Sequence, residues 1–167
     1  MLAGQTNHPT EYQVEAAYLL NFGKFVTWPA EISSQRKSFG LCVLGPDPFG
    51  RVLVQTVSGE TLDGKPVITK HIASISQSAG CAVVFVAVSE QRRLRVLLPA
   101  LANRHILTVS DIPHFVDHGG AIGFVIDDSH VRFEVNQSAA QDAGLRLSSE
   151  LLKVAVSVKK ASAKGGR

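Results

Sequence analysis

This sequence predicts an α/β fold: a single-domain sandwich on a mixed, mostly parallel sheet of about six strands, with helices on both faces and a C-terminal β-hairpin plus helix. Three observations carry that prediction. Strand-like apolar runs alternate with segments of helical period through the first two-thirds of the chain, as right-handed βαβ units require. Cys81–Val88 (CAVVFVAV) is apolar throughout, the composition of a strand covered on both faces. Val131, Phe133 and Val135 alternate with Arg132 and Glu134, the pattern of an antiparallel strand with one wet face.

Taken in order, the first element is a helix over Glu11–Thr27. Val14, Ala17, Tyr18, Phe22 and Phe25 recur at helical spacing, while Gln13, Glu15 and Lys24 fall elsewhere. Trp28-Pro29 ends it, because the residue before a proline is pushed out of the α region. Phe39–Leu44 (FGLCVL) reads as the first strand, and Arg51–Val57 as a short helix. The turn signal Asp63-Gly64 precedes a strand at Pro66–His71, and Cys81–Val88 is the candidate centre of the sheet. Ser89 is placed to cap a helix in which Leu94, Leu97, Leu98 and Leu101 share a face. Ile106–Val109 is the next strand. Ala121–Ile126 and Val131–Val135 form a hairpin around Asp127-Asp128-Ser129-His130. A last helix follows Ser148-Ser149, with Leu147, Leu151, Val154, Ala155 and Val158 as its apolar stripe. Glu150 near its start and Lys159-Lys160 at its end suit the helix dipole. The domain is expected at residues 11–160, with 1–10 and 161–167 as flexible termini.

A chain of 167 residues that is 45% hydrophobic and 19% charged is globular and large enough to bury a core. Its net charge of +3 sits partly in the tail Lys159–Arg167, so a nucleic-acid role has little support. No run approaches the roughly 18 apolar residues that span a bilayer. The polar start MLAGQTNHPTEY lacks the pattern of a secretion signal, an appearance shared by a cytosolic start and by a chain whose signal has been removed.

The chemistry-bearing candidates are few. Gly45–Gly50 follows a strand where a phosphate turn would sit, yet it is not GxGxxG and its two prolines remove backbone donors. A rigid turn presenting Phe49 is the better reading. His114 and His118 are four apart, but Gly119-Gly120 follows at once and no HExxH surrounds them, so no metal or cofactor is expected. Ser110-Asp111 lies at a strand end without a GxSxG elbow, so no catalytic residue is assigned. Asn136 and Arg146 are candidates to point into a groove beside the diglycine, where Arg146 would meet an anion or a partner carboxylate. Cys42 and Cys81 leave three readings open: buried apolar thiols, a disulfide across neighbouring strands, or a metal site, for which no CxxC exists. A disulfide there would close a loop of about 40 residues and stabilise the chain by roughly 4 kcal/mol.

Several segments together resemble the YfiR-like family of periplasmic proteins. They are AAYLLNFGKFVTWP at 16–29, CVLGPDPFG at 42–50, the apolar strand led by Cys81, ILTVSD at 106–111, GGAIGF at 119–124, RFEVN at 132–136 and AGLRLSSELLKVA at 143–155. The resemblance implies a secreted, dimeric, non-enzymatic regulator with its signal peptide removed. Such a protein binds the periplasmic sensor domain of a membrane-bound diguanylate cyclase and inhibits it, lowering cyclic di-GMP and biofilm formation. An OmpA-like outer-membrane lipoprotein is implied as a second partner. Cys42 and Cys81 match a cysteine pair of the family, so the resemblance implies their disulfide. A second pair, which some relatives carry around the diglycine loop, has no counterpart here. Contacts are expected at Phe49, Gly119, Gly120 and the start of the last helix. The competing reading is a small-molecule sensor or an enzyme whose strand-end groove is lined by Ser110, Asp111, Asn136 and Arg146.

Overall fold

A computed structural model describes residues 10–160. Helix α1 (Glu11–Phe25) begins on a capping box, in which Gln13 N donates to Thr10 Oγ1 (3.1 Å) and Thr10 N to Gln13 Oε1 (2.7 Å). After it come the two-residue strand β1 (Val26–Thr27), the single turn α2 (Ala30–Ser33), strand β2 (Phe39–Leu44) and helix α3 (Arg51–Val57). Strands β3 (Thr61–Leu62) and β4 (Lys65–Ile72) form a tight hairpin, followed by β5 (Cys81–Val86), α4 (Leu94–Asn103) and β6 (Leu107–Ser110). The C-terminal third holds β7 (Ile122–Asp127), β8 (His130–Asn136), α5 (Gln137–Asp142), β9 (Arg146–Leu147), α6 (Ser149–Val154) and β10 (Ser157–Lys159).

Eight strands form one sheet in the order β10-β8-β7-β6-β5-β2-β4-β3. Pairings from β4 through β2, β5 and β6 to β7 are parallel, whereas β7–β8 and β3–β4 are antiparallel hairpins. The expected α/β class is borne out, and β5 lies between β6 and β2 in the sheet's interior as its apolar run predicts. Side-chain alternation then splits each central strand between two cores. Leu41, Val43, Val83, Phe85, Leu107 and Val109 face α1 and α3. Leu44, Val84 and Val86 face the opposite way, against Leu94, Leu97, Leu98 and Leu101 of α4. Cys42 and Cys81 lie in that second core as a disulfide between adjacent strands, with Cα atoms 5.8 Å apart. The disulfide is therefore the reading that holds.

Four expectations need correction. The first helix ends at Phe25, because Val26-Thr27 pairs antiparallel with Arg146-Leu147. Its core face is Glu15, Ala16, Leu19, Leu20 and Phe22, not the stripe through Val14, Ala17 and Phe25. The helix is apolar around much of its circumference, so period alone does not select the buried face. Ser89 caps no helix: residues Val88–Arg93 wind as a 3₁₀ segment before α4 begins. The last helix stops at Val154. From Ala155 the backbone is extended, Val156 N donates to Phe133 O (2.9 Å), and β10 pairs parallel with Glu134–Asn136. The β-branched Val154, Val156 and Val158 suit a strand better than a helix, and β8 offers an unpaired edge. With β10 and β3 added, the sheet reaches eight strands.

Candidate functional site

Parallel strands β2, β5 and β6 end side by side, so the first residues beyond them (Gly45, Ala87 and Asp111) gather at one end of the sheet. This is where α/β folds place their ligands. Here the end is roofed by the first turns of α1. The Tyr12 ring stands edge-on to Phe49 at 5.5 Å, and Phe49 stands edge-on to Phe85 at 4.9 Å. The Asp111 carboxyl lies close enough to the Tyr12 hydroxyl for each to influence the other's titration. Glu15 lies beside them, 2% exposed, with no hydrogen-bond partner for Oε1 among the described residues.

Burial dominates the electrostatics of this cluster. Desolvation pushes the Glu15 carboxyl up to about 8, and the neighbouring charges of Asp111 and Glu11 add to the shift. Asp111 is raised by burial too, against the opposing influence of the Tyr12 hydroxyl. Tyr12 is raised by burial and then by Asp111. Around neutral pH a proton is therefore held on Glu15. No group of three His, Cys, Asp or Glu side chains among the described residues is placed to hold a metal ion.

The predicted contact residues separate into distinct roles. Phe49 is 3% exposed and belongs to the core, so it is not a surface contact: Tyr12 and Phe85 enclose the ring that the turn was expected to present. Ser110 is fully buried; its Oγ donates to Val86 O (2.6 Å) and accepts from Ile112 N (3.0 Å), and no ligand reaches it. Asn136 is equally engaged. Its Nδ2 donates to Val116 O (2.8 Å), and its Oδ1 accepts from Ala139 N (3.0 Å) as the cap of α5. Gly119 is exposed at φ +104°. Gly120 is buried, and a Cβ there would lie 2.1 Å from the Phe115 ring.

The four residues of the competing ligand reading do not converge. Asn136 and Gly119 border a groove of about 510 Å³ between α4 and α5, whereas Ser110 and Asp111 lie outside it. Arg146 is exposed on β9, paired with Thr27, on neither wall of that groove. The diglycine loop is held by hydrogen bonds instead: Asn136 to Val116, Ala121 N to Thr108 Oγ1 (3.0 Å) and Asn136 N to Ala121 O (2.8 Å).

Two further depressions lie outside the predicted contact residues. An apolar groove of about 390 Å³ runs between α1 and α6, lined by Tyr18, Phe22, Phe25, Phe133, Leu151 and Val154. Phe25, Val154 and Val156 are exposed at 36%, 56% and 38%. The other is a cleft of about 560 Å³ between the end of α1, the segment after α2 and the β3–β4 turn. In it Trp28 packs edge-on to Phe39 at 5.2 Å, and the Arg36 guanidinium lies 5.3 Å from the indole centroid. The buried Trp28 Nε1–H has no acceptor among the described residues. Leaving such a donor unpaired costs about 1–3 kcal/mol. Glu15 was equally hidden: in the sequence it is one more polar residue of a helix, and only its packing beneath Asp111 makes it unusual. Trp28 had one signal, being the chain's single tryptophan.

No curated protein sequence matches this chain. Among solved structures, a conserved domain protein from Vibrio cholerae shares the fold at a TM-score of 0.56 and 12% identity, covering 86% of this chain and 60% of that one. A Streptococcus ABC domain, solved in complex with L-Trp, matches at 0.56 and 13%, with the same coverage. The chain thus spans 60% of the length of these neighbours, and at such identities they show the fold alone. The family comparison reaches further. A model described as YfiR/HmsC-like matches residues 12–156, from the first turn of α1 to the residue before β10, and the chain belongs to that family.

Proposed function

We propose that this protein is a periplasmic inhibitor of a membrane-bound diguanylate cyclase, acting through the cyclase's periplasmic sensor domain and so lowering cyclic di-GMP and biofilm formation. The observation that carries the reading is the family match over residues 12–156, nearly the whole described fold. The disulfide between β2 and β5 supports it, since such bonds persist in oxidising compartments. Among the described residues no helix is long and apolar enough to cross a membrane.

The contact surface for the cyclase moves away from Phe49, Ser110 and Asn136, which are spent on internal packing and hydrogen bonds. It is assigned to the apolar groove of α1 and α6, with exposed Arg146 as a further contact near the start of α6. Phe25, Val154 and Val156 supply the exposed apolar area that a protein partner covers. Homodimerisation and capture by an OmpA-like lipoprotein belong to the same proposal. Deleting the gene is expected to raise cyclic di-GMP and biofilm mass, and purified protein to bind the cyclase's periplasmic domain. Unchanged cyclic di-GMP together with absent binding rejects the proposal.

A further inference from the structure

The cleft beside Trp28 combines two features that a purely structural depression does not need. Arg36 is partly buried, burial lowers the pKa of its guanidinium, and no carboxylate lies within 4.0 Å of it among the described residues. Trp28, on the same wall, keeps a buried indole N–H without an acceptor among the described residues. Desolvated cations are ordinarily paired, and buried donors are ordinarily satisfied.

The rest of the lining is consistent with one class of occupant. Among the described residues Lys24, Arg36 and Lys65 stand against Asp63 as the only acid of the lining, so the cleft is cationic. Lys65 is fixed in place by donating from Nζ to the Ser33 carbonyl oxygen. Val26, Phe39 and Leu62 supply an apolar floor. A volume of about 560 Å³ lies within the range of small-molecule sites. We propose that this cleft binds a small organic carboxylate with an apolar body, its carboxylate accepting from Arg36 beside the Trp28 ring. Guanidinium and carboxylate match as a bidentate pair, and the apolar body is covered by Phe39 and Leu62. The site is separate from the strand-end cluster and from the α1–α6 groove, and it does not rest on the regulatory reading.

Trp28 is the chain's single tryptophan, so its indole N–H gives one isolated cross-peak in a ¹H–¹⁵N spectrum of the full-length protein. Titrating with sodium benzoate is expected to move that peak saturably, with half-saturation at about 1–10 mM for so small a probe. Benzyl alcohol, the neutral analogue, is expected to move it little over the same range. Arg36→Leu should weaken the benzoate response at least about tenfold, Arg36→Lys should restore part of it, and Arg132→Leu, remote from the cleft, should leave it intact. If Arg36→Leu fails to fold, the contrast between benzoate and benzyl alcohol on the unaltered protein still decides. An unmoved indole peak, or an equal response to the neutral analogue, overturns the proposal.

Discussion

Glu15 is the residue at which burial and charge conflict most directly. Its carboxyl is pushed up to about 8 in the folded chain, against roughly 4.3 when unfolded. The folded state therefore binds this proton more tightly, and the stabilisation is complete below the unfolded value and lost as pH rises through the folded one. Glu15→Gln, which imitates the protonated carboxyl, should match the parent protein near pH 4 and exceed it in stability by about 1–3 kcal/mol above pH 8. Urea unfolding of both proteins across that range checks this, and parallel pH profiles would contradict it. At Gly120 the constraint is steric: a Cβ would lie 2.1 Å from the ring of Phe115, itself 1% exposed. Gly120→Ala should cost about 1–3 kcal/mol, read as a lower urea midpoint at unchanged m-value.

Among the elements, the diglycine loop and the C-terminal segment show what local pattern can and cannot decide. The loop is held by Asn136, whose side chain joins Val116 to the first turn of α5. Asparagine at a strand end carries no signal that distinguishes such a clasp from a surface contact. The final helix was legible only in its start, where Ser148 accepts from Leu151 N at 3.1 Å. Its end depended on an edge of β8 donated by a strand some twenty residues earlier. The β2–β5 pair offers a sharper test of element energetics. Replacing both Cys42 and Cys81 by serine frees a span of 39 residues, and the chain-entropy model gives a loss of about 4 kcal/mol. Thermal unfolding of the double variant beside the parent, each with and without reductant, should show a large drop for the variant and sensitivity to reductant only in the parent.

Over the whole molecule, the proposed partner surface makes a prediction separable from stability. Val154 is 56% exposed, so Val154→Asp should change folding stability by less than about 1 kcal/mol, whereas Phe25→Asp, at 36% exposure, should cost about 1–3 kcal/mol, still leaving a folded protein for the binding assay. Together they should weaken binding of the cyclase periplasmic domain at least about tenfold, because aromatic and aliphatic anchors dominate protein interfaces. Wild-type affinity in the double variant would remove this groove from the interface while leaving the regulatory assignment to be judged on deletion. Arg146→Ala tests the other contact in the same assay.

By itself the sequence determined the α/β class, the order of the main strands, the buried leucine face of α4 and the β7–β8 hairpin. Each of these is written in short-range alternation or in a helical period that neighbouring residues share. Motif order along the chain added the family, and with it the pairing of Cys42 with Cys81. Tertiary structure alone decided which face of α1 is buried, that Phe49, Ser110 and Asn136 turn inward, and that Glu15, Arg36 and Trp28 stand in unusual surroundings. The reason is that burial and desolvation depend on residues distant in sequence: Asp111 over Glu15, Phe39 against Trp28, Phe133 beside Val156. No local pattern records which surfaces meet.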